Sequence, residues 1–376
     1  MPCTFGSAEH GGTSGERSTM DTTMLLRKNT RQIIVRGIPI GGNAPVVIQS
    51  MANVKTTDTE AVLGQIERLS SAGCSIVRLA VPDMAAAESF KQIRSQTDIP
   101  LVADIHFDYR LAIAAIESGA DKIRINPGNI GKEERVRAVV DAARSAGIPI
   151  RIGVNSGSLE KTLLEKHGGP APQALLESAL GYIRMMESYQ FADCILSIKA
   201  SNVITTIEAC RLLASHSDTP QHIGITESGT VRSGTIRSAV GIGTLLAEGI
   251  GDTIRVSLAG DPVDEIYVAR EILKSLGLAN GPVVIACPTC GRTEIDVARL
   301  AAQVEELVTD VNKNITIAVM GCVVNGPGEA READIGIAGG KHEGLIIVGG
   351  KTLRKVPEAS LLDEFRKELD SFLATR

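Results

Sequence analysis

The chain has 376 residues, a formal net charge of −5, a pI near 5.8 and 3% aromatic residues with no tryptophan. This length exceeds the size at which one hydrophobic core keeps growing, so two domains are expected. Negative net charge and few aromatic rings for base stacking argue against a general nucleic-acid binder. Any site for an anionic ligand must therefore be local.

The first 28 residues are rich in glycine, serine, threonine and charge, and they show no apolar period. We predict a disordered tail at 1–28, with Met20 and Met24 as alternative starts. The segment lacks the charged start, apolar centre and cleavage site of a secretory signal. No run of about 18 apolar residues is present to span a bilayer. These features predict a cytoplasmic protein without a membrane partner.

Residues 29–279 alternate short β-branched runs with longer helical patterns, which is typical of a parallel sheet with crossover helices. Eight strands in this length predict an α/β fold of the TIM barrel type. An open doubly wound sheet would show similar periodicity, but no Gly-x-Gly-x-x-Gly follows the first strand. The predicted strands are 46–49, 75–79, 100–104, 122–126, 149–154, 193–199, 222–226 and 253–258.

A repeated unit places an arginine four or five residues after a helix-ending glycine. The pairs are Gly73 with Arg78, Gly119 with Arg124, Gly147 with Arg151, and Gly251 with Arg255. An arginine near the carboxyl end of a barrel strand faces the mouth where barrel enzymes bind their substrates. Other polar residues at predicted strand ends are Asp104, His106, Asn126, Asn155, Lys199, Glu227 and Ser257.

Four arginines and one lysine at one mouth predict a multiply charged anion as ligand, with a diphosphate as the best candidate. The alternative is that some of these cations form structural salt bridges with Asp104, Asp121 or Glu227. His106 is open to two interpretations, a ligand contact or support of another site residue.

Residues 280–376 are predicted to form a second, smaller domain after a turn-rich linker. Two predicted strands, 283–286 and 315–320, each lead into a cysteine motif, and a helix over 294–307 can bring the two turns together. The first motif holds Cys287 and Cys290. The second is a glycine-rich loop with Cys322 and Glu329.

Three clustered thiols favour an iron–sulfur cluster, because three thiolates leave one iron of a cubane for another ligand such as Glu329. A structural zinc site requires a fourth cysteine or histidine ligand, and His342 lies outside the motif. Zinc and unliganded thiols stay open as alternatives. The remaining cysteines, Cys3, Cys74, Cys194 and Cys210, are predicted to be incidental.

Several separate blocks resemble one family closely, the bacterial 4-hydroxy-3-methylbut-2-enyl diphosphate synthases of the non-mevalonate isoprenoid pathway. The similarity runs from about residue 30 to the C-terminus. The blocks are Val-Ala-Asp-Ile-His-Phe-Asp (102–108), Arg-Ile-Asn-Pro-Gly-Asn-Ile-Gly (124–131), Arg-Ile-Gly-Val-Asn (151–155), Gly-Ile-Thr-Glu (224–227), Ala-Cys-Pro-Thr-Cys (286–290) and Gly-Cys-Val-Val-Asn-Gly-Pro-Gly-Glu (321–329).

The resemblance implies a TIM barrel joined to a small α/β domain that holds a [4Fe–4S] cluster through three cysteines and one glutamate. These correspond to Cys287, Cys290, Cys322 and Glu329. It implies reductive opening of 2-C-methyl-D-erythritol 2,4-cyclodiphosphate, with electrons from flavodoxin or ferredoxin. It also implies a homodimer in which the cluster domain of one chain closes over the barrel of the other.

Within that interpretation the five cations hold the diphosphate, and Asn126, Asn155 and Ser257 orient its oxygens. Glu227 is the predicted proton donor, and its alternative role is a salt bridge to Arg255 or Arg232. Two other functions are considered. One is a zinc-dependent barrel enzyme acting on a sugar phosphate, and the other is a non-enzymatic iron–sulfur redox sensor.

Overall fold

A computed structural model describes residues 26–322, 328 and 330–375. It begins with an antiparallel hairpin, β1 (Ile33–Val35) and β2 (Ile38–Ile40). Arg36 and Gly37 turn the chain with φ values of 45° and 82°, as a tight hairpin turn of this hand requires. The hairpin closes the amino-terminal end of a barrel, and the sequence analysis did not predict it. Its apolar side chains share one buried cluster with Val47, Ile76, Val102 and Ile195.

Eight parallel strands form this barrel, so the TIM-barrel prediction is confirmed. Their order around the sheet is β8-β7-β6-β5-β4-β3-β10-β9, and a bridge between Leu196 and Gln221 joins the two ends. Each of the eight predicted strands is present. They are β3 (Val47–Met51), β4 (Ile76–Ala80), β5 (Leu101–Asp104), β6 (Lys122–Ile125), β7 (Ile150–Asn155), β8 (Cys194–Lys199), β9 (His222–Ile223) and β10 (Thr253–Ile254).

The last two barrel strands are shorter than predicted, since regular pairing stops at Ile223 and Ile254. At Gly224 the backbone segments that follow β9 and β10 approach closely, and an added Cβ would lie 2.4 Å from the carbonyl oxygen of Arg255. Only glycine permits this approach. The polar residues that follow both strands therefore lie on irregular backbone at the mouth.

Helices surround the barrel and are capped mainly by aspartate or asparagine side chains, as at Asp58, Asp83 and Asn202. Their apolar faces pack on the outside of the strands in one large core. They are α1 (Thr59–Ser71), α2 (Met84–Arg94), α3 (Tyr109–Glu117), α4 (Pro127–Ile130), α5 (Glu133–Ala146), α6 (Lys161–His167), α7 (Pro172–Ser188), α8 (Val203–His216), α9 (Val231–Ala247) and α10 (Pro262–Ser275).

A second, five-stranded sheet follows, with strand order β11-β12-β13-β14-β15. Strands β11, β12 and β13 pair in parallel, whereas β14 pairs antiparallel with both of its neighbours, β13 and β15. The two predicted strands of this region are present, whereas the other three strands and the last helix were not predicted. The elements are β11 (Val283–Ala286), β12 (Thr316–Met320), β13 (Ile335–Gly340), β14 (Glu343–Val348), β15 (Lys351–Pro357), α11 (Val297–Leu307) and α12 (Leu361–Ala374).

Helices α11 and α12 cover one face of this sheet, where Val304 and Phe365 are fully buried. Strands β11 and β12 are parallel neighbours, so the loops that follow them leave the same edge of the sheet. These are the loops that carry the cysteine motifs. Across the described residues, none of the helices has the length and apolar character needed to cross a bilayer.

Candidate active site

A cavity of about 540 Å³ opens at the carboxyl ends of the barrel strands. The five predicted cations all line it: Arg78, Arg124, Arg151 and Lys199 come from four different strands, and Arg255 directly follows β10. Arg78, Arg151 and Lys199 are buried. In the part of the chain that the structure describes, all of the cavity's lining residues belong to the barrel.

Asp104 connects two of these arginines at the end of β5. Its carboxylate lies 3.7 Å from Arg78 Nε and 3.1 Å from Arg124 Nη1. Burial raises the pKa of Asp104, but the positive charges of Arg78 and Arg124 lower it by more, so the pKa is below its usual value. The structural salt bridges considered for Asp104 are thus present. Asp121 instead pairs with Arg36 and Arg94, away from the cavity.

Arg255 is paired with Glu265 of α10, a residue that the sequence analysis did not single out. The distance from Arg255 Nη2 to Glu265 Oε1 is 3.2 Å, and Glu265 is buried. A glutamate inside a helix pattern gives no local signal that it reaches a strand end. Its position in the first turns of the helix after β10 is the only cue the sequence offers.

Arg151 and Lys199 have no carboxylate partner among the described side chains. Arg151 Nε and Nη1 are buried without a hydrogen-bond acceptor. Burial, followed by the neighbouring arginines, lowers the pKa of both residues well below the usual value. A ligand that brings negative charge and several acceptor oxygens relieves both the desolvation and the repulsion. The cavity therefore has the electrostatics of an anion site.

Two glycines of the quoted sequence blocks make room for cationic side chains. An added Cβ at Gly153 would lie 2.9 Å from Arg124 Nη2, and one at Gly224 would lie 3.1 Å from Lys199 Nζ. Both distances are closer than an ordinary van der Waals contact. The glycines thus let the two cations lie flat against neighbouring strands.

Glu227 lines the cavity from the loop after β9. Its φ of 51° is in the left-handed region, which is unusual for a residue other than glycine and is found often at functional sites. Ser201 Oγ donates a hydrogen bond to Glu227 Oε2 at 2.9 Å. The alternative salt bridge to Arg255 or Arg232 is not formed. Glu227 is therefore an exposed carboxylate aimed at the mouth.

Four other predicted residues also line the cavity, namely Asp104, His106, Asn155 and Ser257. Asn126 does not. Its side chain caps α4 through the N–H of Gly128 and donates to Ser158 Oγ at 2.9 Å. Asn-Pro-Gly is a recognisable start for a helix, and this signal identifies the role of Asn126. The lining residues that were missed are Met51, Asn129, Ser156, Gly157, Ser158, Ser197, Ser201 and Thr226.

The loops after β11 and β12 meet, as predicted. The N–H of Gly321 donates to Cys287 Sγ at 3.1 Å, and the N–H of Glu294 donates to the carbonyl of Gly321 at 2.9 Å. Cys322 directly follows Gly321 in the chain. Glu329 lies outside the described residues.

The chemistry of these thiols suits a metal or cluster. Cys287 Sγ already accepts a hydrogen bond from a backbone N–H, a contact that is common around cluster sulfurs. Cys290 is exposed, and the backbone N–H of Arg292, followed by the hydroxyl of Thr293, lowers its pKa. The described residues contain no group of three His, Cys, Asp or Glu side chains already arranged around one metal ion. The three thiols are donors that fit an iron–sulfur cluster by their chemistry.

The other described cysteines are of a different kind. Burial raises the pKa of Cys74 and Cys194 to about 11 and that of Cys210 to about 12. Such thiols are protonated and unreactive near neutral pH. The prediction that they are incidental agrees with this placement, whereas Cys3 lies outside the described residues.

Fold and cavity together define a class: a TIM-barrel enzyme with a cation-lined anion site, followed by a small sheet domain that presents cysteines. Two family models match the chain. The GcpE TIM-barrel domain matches residues 30–270, and the GcpE protein C-terminal domain matches residues 283–371. The chain belongs to the GcpE family.

Similar curated proteins carry one name, 4-hydroxy-3-methylbut-2-en-1-yl diphosphate synthase (flavodoxin). The protein of Caldanaerobacter subterraneus subsp. tengcongensis is 58% identical over 93% of this chain and 98% of its own length. That of Exiguobacterium sp. is 55% identical over 94% of this chain and 95% of its own. That of Anoxybacillus flavithermus is 56% identical over 92% of this chain and 96% of its own.

Proposed function

We infer that this protein is an iron–sulfur oxidoreductase that converts 2-C-methyl-D-erythritol 2,4-cyclodiphosphate to (E)-4-hydroxy-3-methylbut-2-enyl diphosphate. The ring of five cations at the barrel mouth carries the inference, because it matches a diphosphate in charge and in acceptor oxygens. The name shared by the curated relatives specifies the same product. A zinc-dependent sugar-phosphate enzyme and a redox sensor find no such support.

The barrel, taken as residues 29–279, binds the substrate. Arg78, Arg124, Arg151, Lys199 and Arg255 hold the diphosphate, and Asn155 and Ser257 orient its oxygens. His106 lies beside them at the end of β5. Fixed cations of this kind bind the ring phosphate more strongly as its bridging oxygen gains charge during ring opening. Asn126 supports the site from below by fixing Ser158.

The domain of residues 280–376 passes electrons from the carrier protein to the substrate. Cys287, Cys290, Cys322 and Glu329 would hold a [4Fe–4S] cluster, which would supply single-electron transfer when bound. The N–H group that Gly321 directs at Cys287 Sγ supports this assignment, since such groups stabilise negative charge on cluster sulfur.

The overall change consumes two electrons and one proton, opens one C–O bond to the ring phosphate, and releases a hydroxyl group as water. Glu227 is the proton donor to that hydroxyl. Ser201 Oγ donates a hydrogen bond to its carboxylate, and the residue lines the cavity in which the substrate would bind. No step requires a nicotinamide.

The partners follow from the same separation of sites. Among the described residues, those that line the cavity all belong to the barrel, so the cluster must be brought to it. A homodimer in which one chain's cluster domain closes over the other chain's barrel provides this. Flavodoxin, named in the relatives, or ferredoxin is the electron donor, and the cytoplasm is the compartment that contains these carriers.

The test is turnover of the cyclodiphosphate by anaerobically reconstituted protein with reduced flavodoxin and reduced ferredoxin in separate reactions. Formation of the linear diphosphate with either carrier is expected. A colourless, zinc-containing protein with no acid-labile sulfide would support the zinc enzyme instead. A coloured protein that neither binds nor converts the substrate would favour the sensor.

Cysteine variants test the cluster ligands separately. Cys290→Ser is expected to lose the visible absorption and iron of the reconstituted protein. Cys74→Ala, which removes a buried thiol of the barrel, serves as the matched control and should keep both. An unchanged iron content in Cys290→Ser would remove the ligand assignment.

A further inference from the structure

Glu265 is a buried carboxylate that touches three separate parts of the barrel mouth. Only 4% of the residue is exposed, although glutamate is rarely buried without a partner. Ser50 Oγ of β3 donates to Glu265 Oε2 at 2.8 Å. Arg255 and the backbone N–H of Leu258, both in the segment that follows β10, also donate to it.

The contacts with Arg255 fix the direction of its guanidinium group. Arg255 Nη2 lies 3.2 Å from Oε1 and Arg255 Nε lies 3.4 Å from Oε2, so both carboxylate oxygens engage one edge of the guanidinium. This two-point geometry restricts rotation more than a single contact does. The other edge, with Nη1, remains for the cavity that Arg255 lines.

The contact with Leu258 fixes a second site residue. Leu258 N donates to Oε1 at 3.1 Å, which anchors the irregular backbone just after Ser257. Regular strand pairing has already ended at Ile254, and the segment is otherwise held by the hydrogen bond from Ala259 N to Gly229 O and by Ser228 Oγ, which donates to the carbonyl of Ser257. One carboxylate thus holds Arg255 directly and anchors the backbone N–H next to Ser257.

We propose that Glu265 is a positioning residue for the diphosphate site, acting through Arg255. The proposal rests on the proposed function, because it assumes that Arg255 binds the substrate's phosphate oxygens. Glu265 itself faces Ser50, Arg255 and Leu258 and is absent from the cavity wall. It therefore orients a cation and does not contact the ligand.

Steady-state kinetics of Glu265→Gln test the proposal in the reconstituted enzyme. The amide keeps the shape but loses the charge, and it must turn a donor toward Arg255 or Leu258. We expect KM for the cyclodiphosphate to rise about tenfold with a smaller change in kcat, since misplacement of a substrate-holding group weakens its contact. Glu265→Asp, which keeps the charge, should recover part of this loss.

The double variant distinguishes positioning from general damage to the fold. If Glu265 acts through Arg255, Glu265→Gln adds little further loss in an Arg255→Gln background. Independent structural damage would multiply the two effects. Glu271→Gln is the matched control, because Glu271 lies on the same helix and pairs only with Lys274 at the surface among the described ion pairs.

The outcomes separate the two levels of inference. Failure of the wild-type protein to bind or convert the cyclodiphosphate overturns the proposed function. Normal wild-type turnover with an unchanged KM in Glu265→Gln, or with fully multiplicative losses in the double variant, overturns the role of Glu265. The cluster spectrum of each variant confirms that the second domain is intact.

Discussion

Arg124 Nη1 lies 3.1 Å from Asp104 Oδ1, a contact between the neighbouring strands β6 and β5 at the cavity floor. Asp104 also faces Arg78, so one carboxylate serves two cations. Arg151 and Lys199 beside them have no carboxylate partner among the described residues. The site thus balances part of its charge internally and leaves the remainder for a ligand.

Replacing Asp104 with asparagine should expose that balance. We expect Asp104→Asn to lower the free energy of unfolding by about 3 kcal/mol at pH 7, because two buried cations lose their counter-charge. Inorganic diphosphate should then raise the thermal midpoint more in the variant than in the wild type, since the anion replaces the missing charge. Thermal unfolding with and without diphosphate measures both effects.

Asp121→Asn provides the comparison. Asp121 pairs with Arg94 at 2.8 Å outside the cavity, so its loss should also destabilise the protein. The shift caused by diphosphate should stay as in the wild type. Equal diphosphate effects in both aspartate variants would show that Asp104 does not share a site with the anion.

Gly153→Ala separates binding from stability. The new Cβ would meet the tip of Arg124, a flexible group that can move at small cost to the fold. Displacing one charged hydrogen-bond donor should weaken diphosphate binding about tenfold, as measured by calorimetry. Gly64→Ala in α1 is the control, because nothing lies within 4 Å of the added atom. Wild-type affinity in Gly153→Ala would contradict a role for Arg124.

The sequence predicted the barrel well because its strands are short apolar runs between clear helix patterns. The four arginines were located because the Gly–Arg unit recurs at four of the eight strands, and Lys199 was located because it ends another strand. Side chains that act across the barrel were harder to find. Glu265 lies in a helix, and its contact with Arg255 depends on how that helix packs.

At two places the residues just after a strand adopt a local structure that the position of the strand end did not predict. Asn126 was predicted at the mouth because it ends a strand, but the following Pro-Gly starts a helix that takes its side chain as a cap. The serines at 156–158 gave no periodic signal, since they form a short turn after Asn155. Glu329 was predicted from its motif and stays a prediction.

Thiol reactivity offers a test of the cysteine assignments in metal-free protein. Cys290 is exposed and its pKa is lowered, so iodoacetamide should modify it first among the described cysteines. Cys74, Cys194 and Cys210 are buried and should react only on unfolding. Mass spectrometry after short labelling times gives the order. Reconstitution with iron and sulfide should protect Cys290, and undiminished labelling of the reconstituted protein would argue against ligation.

Lys122 is the most unusual residue of the barrel interior. It starts β6, has no exposed surface, and its Nζ has no hydrogen-bond partner in the described part of the chain. Burial lowers its pKa well below 10.5, and the charges of Arg151 and Arg78 lower it further. An amine in this position costs stability, because the unfolded chain binds a proton that the folded chain resists.

Lys122→Met should therefore raise the free energy of unfolding by about 1–2 kcal/mol at pH 7, since an apolar chain of similar volume needs no proton or partner. The cost of the lysine is greatest below its folded pKa and disappears as pH rises toward 10.5, where the unfolded chain also loses its proton. The difference between wild type and variant should shrink over that range. Urea unfolding from pH 6 to pH 9 measures this trend, and a variant that is less stable at every pH would show that the ammonium has a partner which stabilises it.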